Sequence, residues 1–350
     1  MNASANPGRA GVAAALAAAL LFGAGTPVAK LLLGAVDPWL LAGLLYLGSG
    51  VGLWLWRLAR RSPRVAMPAS DRLWFAGAVV SGGMLGPALL MWGLAGMAAS
   101  GASLLLNAEG VLTALLAWFV FRENVDRRIA LGMALIVAGA VVLSWPGELR
   151  LGAALPELAV LGACLAWAID NNLTRKVSLA DAGYIAMVKG LVAGAANFAL
   201  ALAAGAALPP PSAALGALVV GFFSYGVSLA LFVLALRHLG TARTGAYFSV
   251  APFAGALIAL PLLGEEPTLQ LAAAGALMAA GVWLHLTERH THWHVHAPIE
   301  HTHFHVHDEH HRHDHDEPVP PGTRHSHPHR HEPLAHAHPH YPDAHHRHDH

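Results

Sequence analysis

The sequence predicts an all-α polytopic membrane protein with about ten transmembrane helices, arranged as two inverted five-helix repeats and followed by a disordered C-terminal tail. Three observations predict this fold. Charged residues make up only 12% of the chain and hydrophobic residues 55%, whereas a soluble protein carries about 25% charged residues. Apolar runs of about 20 residues recur up to position 286, and each could cross the membrane as a helix. The segment Gly101–Ser144 also returns near Gly245–Leu286.

The repeat matches residues both within the apolar runs and in the loop between them. At a constant offset of 142 residues, Glu123 falls on Glu265 and Gly139 falls on Gly281. A period of this length indicates a duplicated fold and not a solenoid unit of about 20–50 residues. The runs have the length of helices and lack the alternation of transmembrane strands, so a β-barrel is excluded.

The predicted spans follow one another through short connections. The first span is longer than the core of a signal peptide, about 7–15 residues, so we interpret it as a retained helix. The spans divide the chain into a first repeat at residues 1–147, a second repeat at 148–289 and a tail at 290–350. They lie near residues 10–33, 38–57, 73–96, 99–121, 128–146, 155–174, 182–206, 213–236, 242–263 and 268–286.

Lysine and arginine in the connections predict the orientation. With the N-terminus inside, the outer connections hold only Arg150, and the other loop residues of this kind lie inside. The positive-inside rule then places both termini in the cytoplasm of an inner (plasma) membrane. Because each half has an odd number of spans, the second half enters the membrane in the opposite sense, as in many secondary transporters. The inner residues are Arg9, Arg57, Arg60, Arg61, Arg64, Arg72, Arg122, Arg127, Arg128, Arg175, Lys176, Arg237, Arg243 and Arg289.

The order of these features resembles the EamA-type transporters of the drug/metabolite transporter superfamily. Each half contains a Gly- and Ala-rich helix, a turn with a glutamate and then a helix of small residues, such as Gly132 to Gly139. The resemblance covers residues 10–286 and implies export or exchange of small metabolites, often amino acids or related compounds, without ATP. The chain departs from the usual pattern at Tyr46, near where many members have an arginine, and in its histidine-rich tail.

Polar residues inside the predicted spans form the candidate substrate or coupling site. An ionisable group in the membrane costs several kcal/mol unless it is paired or hydrated, so it usually faces a cavity. Glu109 lies near the middle of the fourth span, and Lys189 lies about two turns inside the seventh. These groups could bind a zwitterion or exchange protons; alternatively, Lys189 pairs with Glu109 or Asp170 only to hold helices together. The candidates are Asn107, Glu109, Asp170, Asn171, Asn172 and Lys189.

Other residues are interpreted as structural. Glu123 and Glu265 are each expected to cap the helix that follows, through its dipole. The pairs Gly82/Gly86 and Gly190/Gly194 are expected to let helices approach closely. No lysine follows the glycines of a phosphate-binding loop, and no zincin motif occurs. We therefore expect neither an enzyme nor a required cofactor.

The tail is dominated by histidine, which makes up 23 of its 61 residues. Its low apolar content predicts disorder. Neutral imidazoles at this density bind Zn²⁺, Ni²⁺, Co²⁺ or Cu²⁺, and the alternative is a flexible tail with incidental metal affinity. The predicted metal ligands are His290, His292, His294, His296, His301, His303, His305, His307, His325, His327, His329 and His331.

Together these features predict a secondary transporter that exports a small polar or amphipathic metabolite, such as an amino-acid-like compound or a drug. Two alternatives stay open: a divalent transition-metal exporter, and a membrane-anchored metal or pH sensor. The expected partners are a small-molecule substrate, the lipid bilayer and divalent metal ions. No nucleic acid is expected, and a homodimer is compatible with the sequence.

Overall fold

The structure of the chain is a computed structural model. It describes residues 7–62, 65, 68–121, 127–145, 154–177, 181–239 and 247–286, and four segments of the tail. The chain forms two compact units, Met1–Glu288 and Arg289–His350. The described part of the first unit is helical, as the sequence predicts.

The first half of this unit contains the first five predicted spans. Its third span is a composite, in which a 3₁₀ turn at Ala69–Asp71 precedes α3 and a π-helix at Val79–Leu85 joins α3 to α4. Its fourth span is divided by a turn at residues 106–107. The helices are α1 (Pro7–Leu32), α2 (Pro38–Ala59), α3 (Arg72–Ala78), α4 (Gly86–Gly96), α5 (Ala99–Leu105), α6 (Ala108–Phe121) and α7 (Arg127–Ser144).

The second half has the same plan. A π-helix at Phe222–Val227 interrupts its third span, and a turn at residues 249–250 precedes the main helix of its fourth. The helices are α8 (Leu155–Lys176), α9 (Ala182–Ala203), α10 (Pro211–Gly221), α11 (Ser228–Leu239), α12 (Ala251–Leu263) and α13 (Leu269–Leu286).

Several of these helices are long and apolar enough to cross a membrane. Among the described residues there are six, with shorter apolar helices at Ala130–Leu143, Ala251–Leu263 and Leu269–Leu284. The prediction of an all-α polytopic membrane protein is thus confirmed. The six are Gly11–Leu32, Pro38–Ala59, Ala69–Gly96, Ala99–Leu116, Gly183–Ala203 and Pro211–Phe232.

The internal repeat extends to the irregular parts of the helices. The first π-helix, shifted by the sequence offset of 142, falls on residues 221–227, where the second π-helix lies. The turn at 106–107, shifted in the same way, falls on residues 248–249 and overlaps the turn at 249–250 by one residue. π-Helices are rare and often occur at functional sites. Their recurrence supports the duplication independently of the residues that match in the sequence.

The two halves pack through equivalent helices. The second helices of the halves, α2 and α9, cross each other, and so do their fifth helices, α7 and α13; α1 packs on α11 as α8 packs on α4. At the α2–α9 crossing, a methyl group on Gly190 would lie 2.6 Å from the backbone nitrogen of Gly50. Methyl groups on Gly82 and Gly86 would likewise meet α8. The predicted close packing at both glycine pairs is confirmed.

Acidic residues cap the N-termini of several helices. Asp37 accepts hydrogen bonds from the N–H groups of the first turn of α2, and Asp181 does the same for α9 through Tyr184. The expectation for Glu265 was wrong. Its two carboxylate oxygens accept from the N–H groups of Ala99 (2.7 Å) and Ser100 (3.0 Å), so it caps α5 of the other half. The free N–H groups at the start of any nearby helix attract a carboxylate. The same expectation for Glu123 concerns a residue that lies outside the described residues.

The described parts of the tail form two antiparallel two-stranded sheets. Strand β1 (Thr291–His296) pairs with β4 (Leu334–Pro339), and β2 (Glu300–His305) pairs with β3 (His325–Arg330). At these residues the tail differs from the disordered segment that the composition predicts. The alternating pattern of histidine has the period of a strand, which the composition alone does not record.

Candidate functional site

Asp170 and Lys189 form an ion pair between α8 and α9. The Lys189 ammonium lies 2.6 Å from both carboxylate oxygens of Asp170, and the Thr174 hydroxyl donates to Oδ1 at 2.8 Å. The side chains are only 15% and 10% exposed. The carboxylate lies against Gly82 and the lysine stem against Gly83, both in the first π-helix. The sequence allows Lys189 to pair with Glu109 or with Asp170, and in the structure it pairs with Asp170.

Glu109 lies at the start of α6, and its partner belongs to the other half of the protein. The side-chain amide of Asn171 on α8 donates to Glu109 Oε1 at 2.9 Å and approaches the Thr113 hydroxyl at 3.3 Å. The amide of Asn172 donates to the carbonyl of Thr113 at 3.3 Å and to that of Ala168 at 2.9 Å. These bonds place the Glu109 carboxylate at the interface between the two halves.

Open space lies beside Gly110, the residue that follows Glu109 in α6. A methyl group on Gly110 would have no atom within 4 Å. Asn171 is exposed, although it follows the buried residues Cys164 and Trp167 on the same face of α8. The outward face of α8 carries other exposed residues, among them Leu165 and Ile169. Asn171 is therefore exposed on a face of α8 that is buried at Cys164 and Trp167.

Asn107 does not join this cluster. It lies in the turn between α5 and α6, where its amide donates to the carbonyl of Leu104 at 2.9 Å and lies 3.9 Å from the Met278 sulfur. Of the sequence candidates, the structure brings together Glu109 with Asn171 and Asp170 with Lys189. Asn172 binds the backbone of α6 beside them.

The π-helix of the third span binds polar side chains that the sequence reasoning missed. Because a π-helix breaks the normal hydrogen-bond ladder, it leaves carbonyl groups for side chains. The carbonyl of Gly82 accepts from the Tyr46 hydroxyl at 2.8 Å and from the Trp167 indole at 2.9 Å. The Asn197 amide donates to the carbonyls of Gly83 and Met84 at 3.3 and 3.2 Å. The signal for Asn197 was its position as a lone amide within an apolar run.

Five aromatic rings from the two halves lie in one continuous row. Adjacent ring centroids are separated by 5.5 Å for Tyr46 and Tyr225, 5.8 Å for Tyr225 and Phe22, 5.5 Å for Phe22 and Phe248, and 4.9 Å for Phe248 and Phe232. Tyr46 is buried, and the other four are half-buried. These rings belong to four different spans, so no local sequence pattern could have indicated that they contact one another.

No group of three His, Cys, Asp or Glu side chains suited to a metal ion occurs among the described residues. The histidine side chains of the tail lie outside that description. Cys164 is buried, with its sulfur 3.6 Å from the carbonyl of Leu105.

Sequence comparison assigns the family. The EamA-like transporter family matches residues 9–145 and 154–287, so each match falls within one predicted half. The chain belongs to the EamA-like transporter family. This confirms the predicted resemblance, and the protein is a multi-pass membrane transporter of that family.

Two further comparisons agree with an EamA-like chain. An uncharacterized transporter of Methanothermobacter thermautotrophicus is 28% identical over 287 residues, which cover 77% of this chain and 84% of the relative. A protein of known crystal structure shares the fold with a TM-score of 0.59 and 21% identity, over 78% of this chain and 95% of that one.

Proposed function

We propose that the protein is a secondary exporter of a small polar or amphipathic metabolite, an amino-acid-like compound or a drug, and that it works by alternating access. One observation carries this proposal. The Glu109 carboxylate lies at the interface between the two repeats, because its hydrogen-bond partner Asn171 belongs to the other repeat. In transporters built from inverted repeats, the substrate site lies at the repeat interface near the middle of the membrane.

The Glu109–Asn171 contact joins the two halves, so its loss would allow the halves to move relative to each other. A substrate that binds Glu109 competes with the Asn171 amide, and this weakens a bond between the halves. The Asp170–Lys189 pair lies wholly within the second half and keeps α8 and α9 together through such a movement. Asn171 thus belongs to the moving contact, while Asp170 and Lys189 position the helix that carries it.

Glu109→Gln should reduce transport about tenfold or more, because an intramembrane carboxylate is costly to retain without a role. Fold and membrane expression should stay near normal, since glutamine can still accept the bond from Asn171. Metabolites in the medium of strains that express each variant measure the effect, against a strain without the gene. Glu266→Gln is the matched control, because Glu266 is an exposed carboxylate. Unchanged export by Glu109→Gln would contradict the proposal.

We also propose that both termini face the cytoplasm of the inner (plasma) membrane, because positive charge is concentrated in the connections on that side. Single cysteines at Arg61 and Lys176 should be labelled only from inside, and those at Glu148 and Glu266 only from outside. The Cys164→Ala background removes the native thiol. Labelling of Glu266→Cys from the inside alone would overturn this topology.

The tail is proposed to bind divalent metal ions and to tune transport without forming the path. The register of β2 and β3 places His301 opposite His329 and His303 opposite His327. Charge also supports a tuning role: with neutral histidine, the tail has 4 basic and 9 acidic residues and the remaining chain has 17 and 12. Metal binding or protonation would therefore cancel the tail's attraction for basic loops.

A chain truncated after Arg289 should still insert and export, but it should lose any response of export to micromolar Zn²⁺ or Ni²⁺. The full-length chain, with and without a chelator, is the comparison. If truncation abolishes export while insertion stays intact, the tail belongs to the transport path and a metal exporter becomes the better proposal. A chain that moves neither metabolite nor metal would instead be a sensor.

A further inference from the structure

Two charged side chains hold the turn between α4 and α5 from opposite sides. The Lys30 ammonium on α1 donates to the carbonyls of Leu94 (2.6 Å) and Met97 (2.9 Å) at the end of α4. Glu265 accepts from the first two N–H groups of α5. Lys30 therefore ties α4 to α1 within the first half, whereas Glu265 ties α5 to the second half.

The Glu265 contact lies at one end of a junction between the halves, where α12 packs on α1 and α5. It lies there because α12 ends two residues before Glu265 and α5 begins at Ala99. A methyl group on Gly255 of α12 would lie 2.7 Å from the carbonyl oxygen of Gly23 on α1 and 2.7 Å from the Ser103 hydroxyl on α5. The void that these helices line is too small for a water molecule. The three helices are therefore in close contact beneath the Glu265 carboxylate.

The Ser103 hydroxyl at this junction is not satisfied. Ser103 is only 1% exposed, and among the described residues its hydroxyl has no hydrogen-bond partner. A buried hydroxyl without a partner costs free energy, which hydration recovers. The closed junction thus contains a polar group that water would satisfy if α12 moved away from α5.

We propose that Glu265 is the latch of a gate between the two halves. Bound to α5, it holds α12 against α1 and α5 and keeps this end of the bundle closed. When the carboxylate leaves, water replaces its bonds and reaches Ser103. Because water satisfies both partners in the open state, the open and closed states remain close in free energy, as alternating access requires. Lys30 positions the turn to which the carboxylate returns. The inference rests on the proposed function, for which it names a gating residue at the end that the proposed topology places outside.

Single cysteines at the junction test the latch. Ser103→Cys on α5 and Thr26→Cys on α1 are placed separately in the Cys164→Ala chain; both positions are at most 4% exposed and line the void. A charged methanethiosulfonate reagent is added to the full-length protein in nanodiscs, where it reaches both faces. Glu265→Ala should accelerate labelling of both cysteines about tenfold or more, because hydrogen bonds to a charged group are lost. Glu265→Gln keeps one acceptor oxygen and should have a smaller effect of the same sign.

Three controls separate opening of the gate from loss of structure. Loss of a cap alone would fray α5 and expose Ser103 but not Thr26, which lies on another helix. The native Cys164, buried in α8, should stay unreactive in Glu265→Ala, whereas unfolding would expose it; Glu265→Gln decides the test if the alanine variant unfolds. Gln270→Ala removes other hydrogen bonds between the halves, to carbonyls at the end of α7, and should leave both labelling rates unchanged.

The outcomes distinguish the latch from the transport function. Unchanged labelling of Thr26→Cys in both Glu265 variants, or equal acceleration by Gln270→Ala, rejects the latch while export of metabolites can still be measured. Faster labelling at both cysteines, together with no export of any metabolite by the unchanged chain, retains the latch and rejects the transport function.

Discussion

Asp170→Asn should destabilise the protein by about 3–5 kcal/mol, because it leaves the Lys189 ammonium buried without a counter-charge. The ammonium lies 2.6 Å from both oxygens that the change affects, and the two side chains are at most 15% exposed. Solvent can therefore replace little of the lost interaction. Size-exclusion chromatography of heated, detergent-solubilised protein should show a much lower folded yield and unfolding temperature than for the unchanged chain.

Two controls separate the charge effect from packing. Asp170→Leu combined with Lys189→Met removes both charges at similar volume and should recover most of the stability, since apolar pairs often replace buried ion pairs. Asp181→Asn affects the Arg57–Asp181 pair, where Asp181 is 38% exposed, and should cost only about 1 kcal/mol. If Asp170→Asn unfolds at the original temperature, the ion pair does not hold α8 to α9.

The sequence was sufficient to predict the fold, because hydrophobic runs and an odd number of spans in each half leave few possible arrangements of the helices. Glu109 and Lys189 could be selected as candidates for the same reason: a charge in the membrane needs an explanation. The residues with which Glu109 and Lys189 pair could not be predicted from the sequence. Whether Lys189 faces Glu109 or Asp170 depends on how α9 is rotated against α8 and α6, and the helical period of one segment does not contain that information.

Contacts between side chains and backbone groups far apart in the sequence could not be predicted either. Glu265 caps α5, which begins 166 residues earlier in the chain, so the expectation of a local cap failed. Tyr46 was noted only as a departure from the usual arginine, yet its hydroxyl binds a carbonyl freed by the π-helix at Gly82. The adjacent glycines at 82 and 83 gave a clue, because such positions allow close approach to the backbone.

Gly190→Leu should have a comparably large effect, because it forces apart the two helices that cross at the repeat interface. Even a methyl group at this position would lie 2.6 Å from the nitrogen and 2.7 Å from the Cα of Gly50, and 2.9 Å from the carbonyl oxygen of Tyr46. These are backbone atoms, so no side-chain rotation relieves the overlap. Overpacking of this kind costs about 1–3 kcal/mol and more when the backbone must move.

A graded series makes this packing prediction specific. Gly190→Ala should lower the unfolding temperature in detergent and Gly190→Leu should lower it further, while Gly110→Ala should not lower it. Gly110 is the matched control, since it is a helical glycine whose added methyl meets no atom within 4 Å and alanine favours helix by about 0.5–1 kcal/mol. Equal stability of Gly190→Leu and the unchanged chain would show that α2 and α9 do not pack through this glycine. Because α2 and α9 belong to different halves, a loose crossing here should also weaken the Tyr46 contact with Gly82, which joins α2 to the π-helix beside the ion pair.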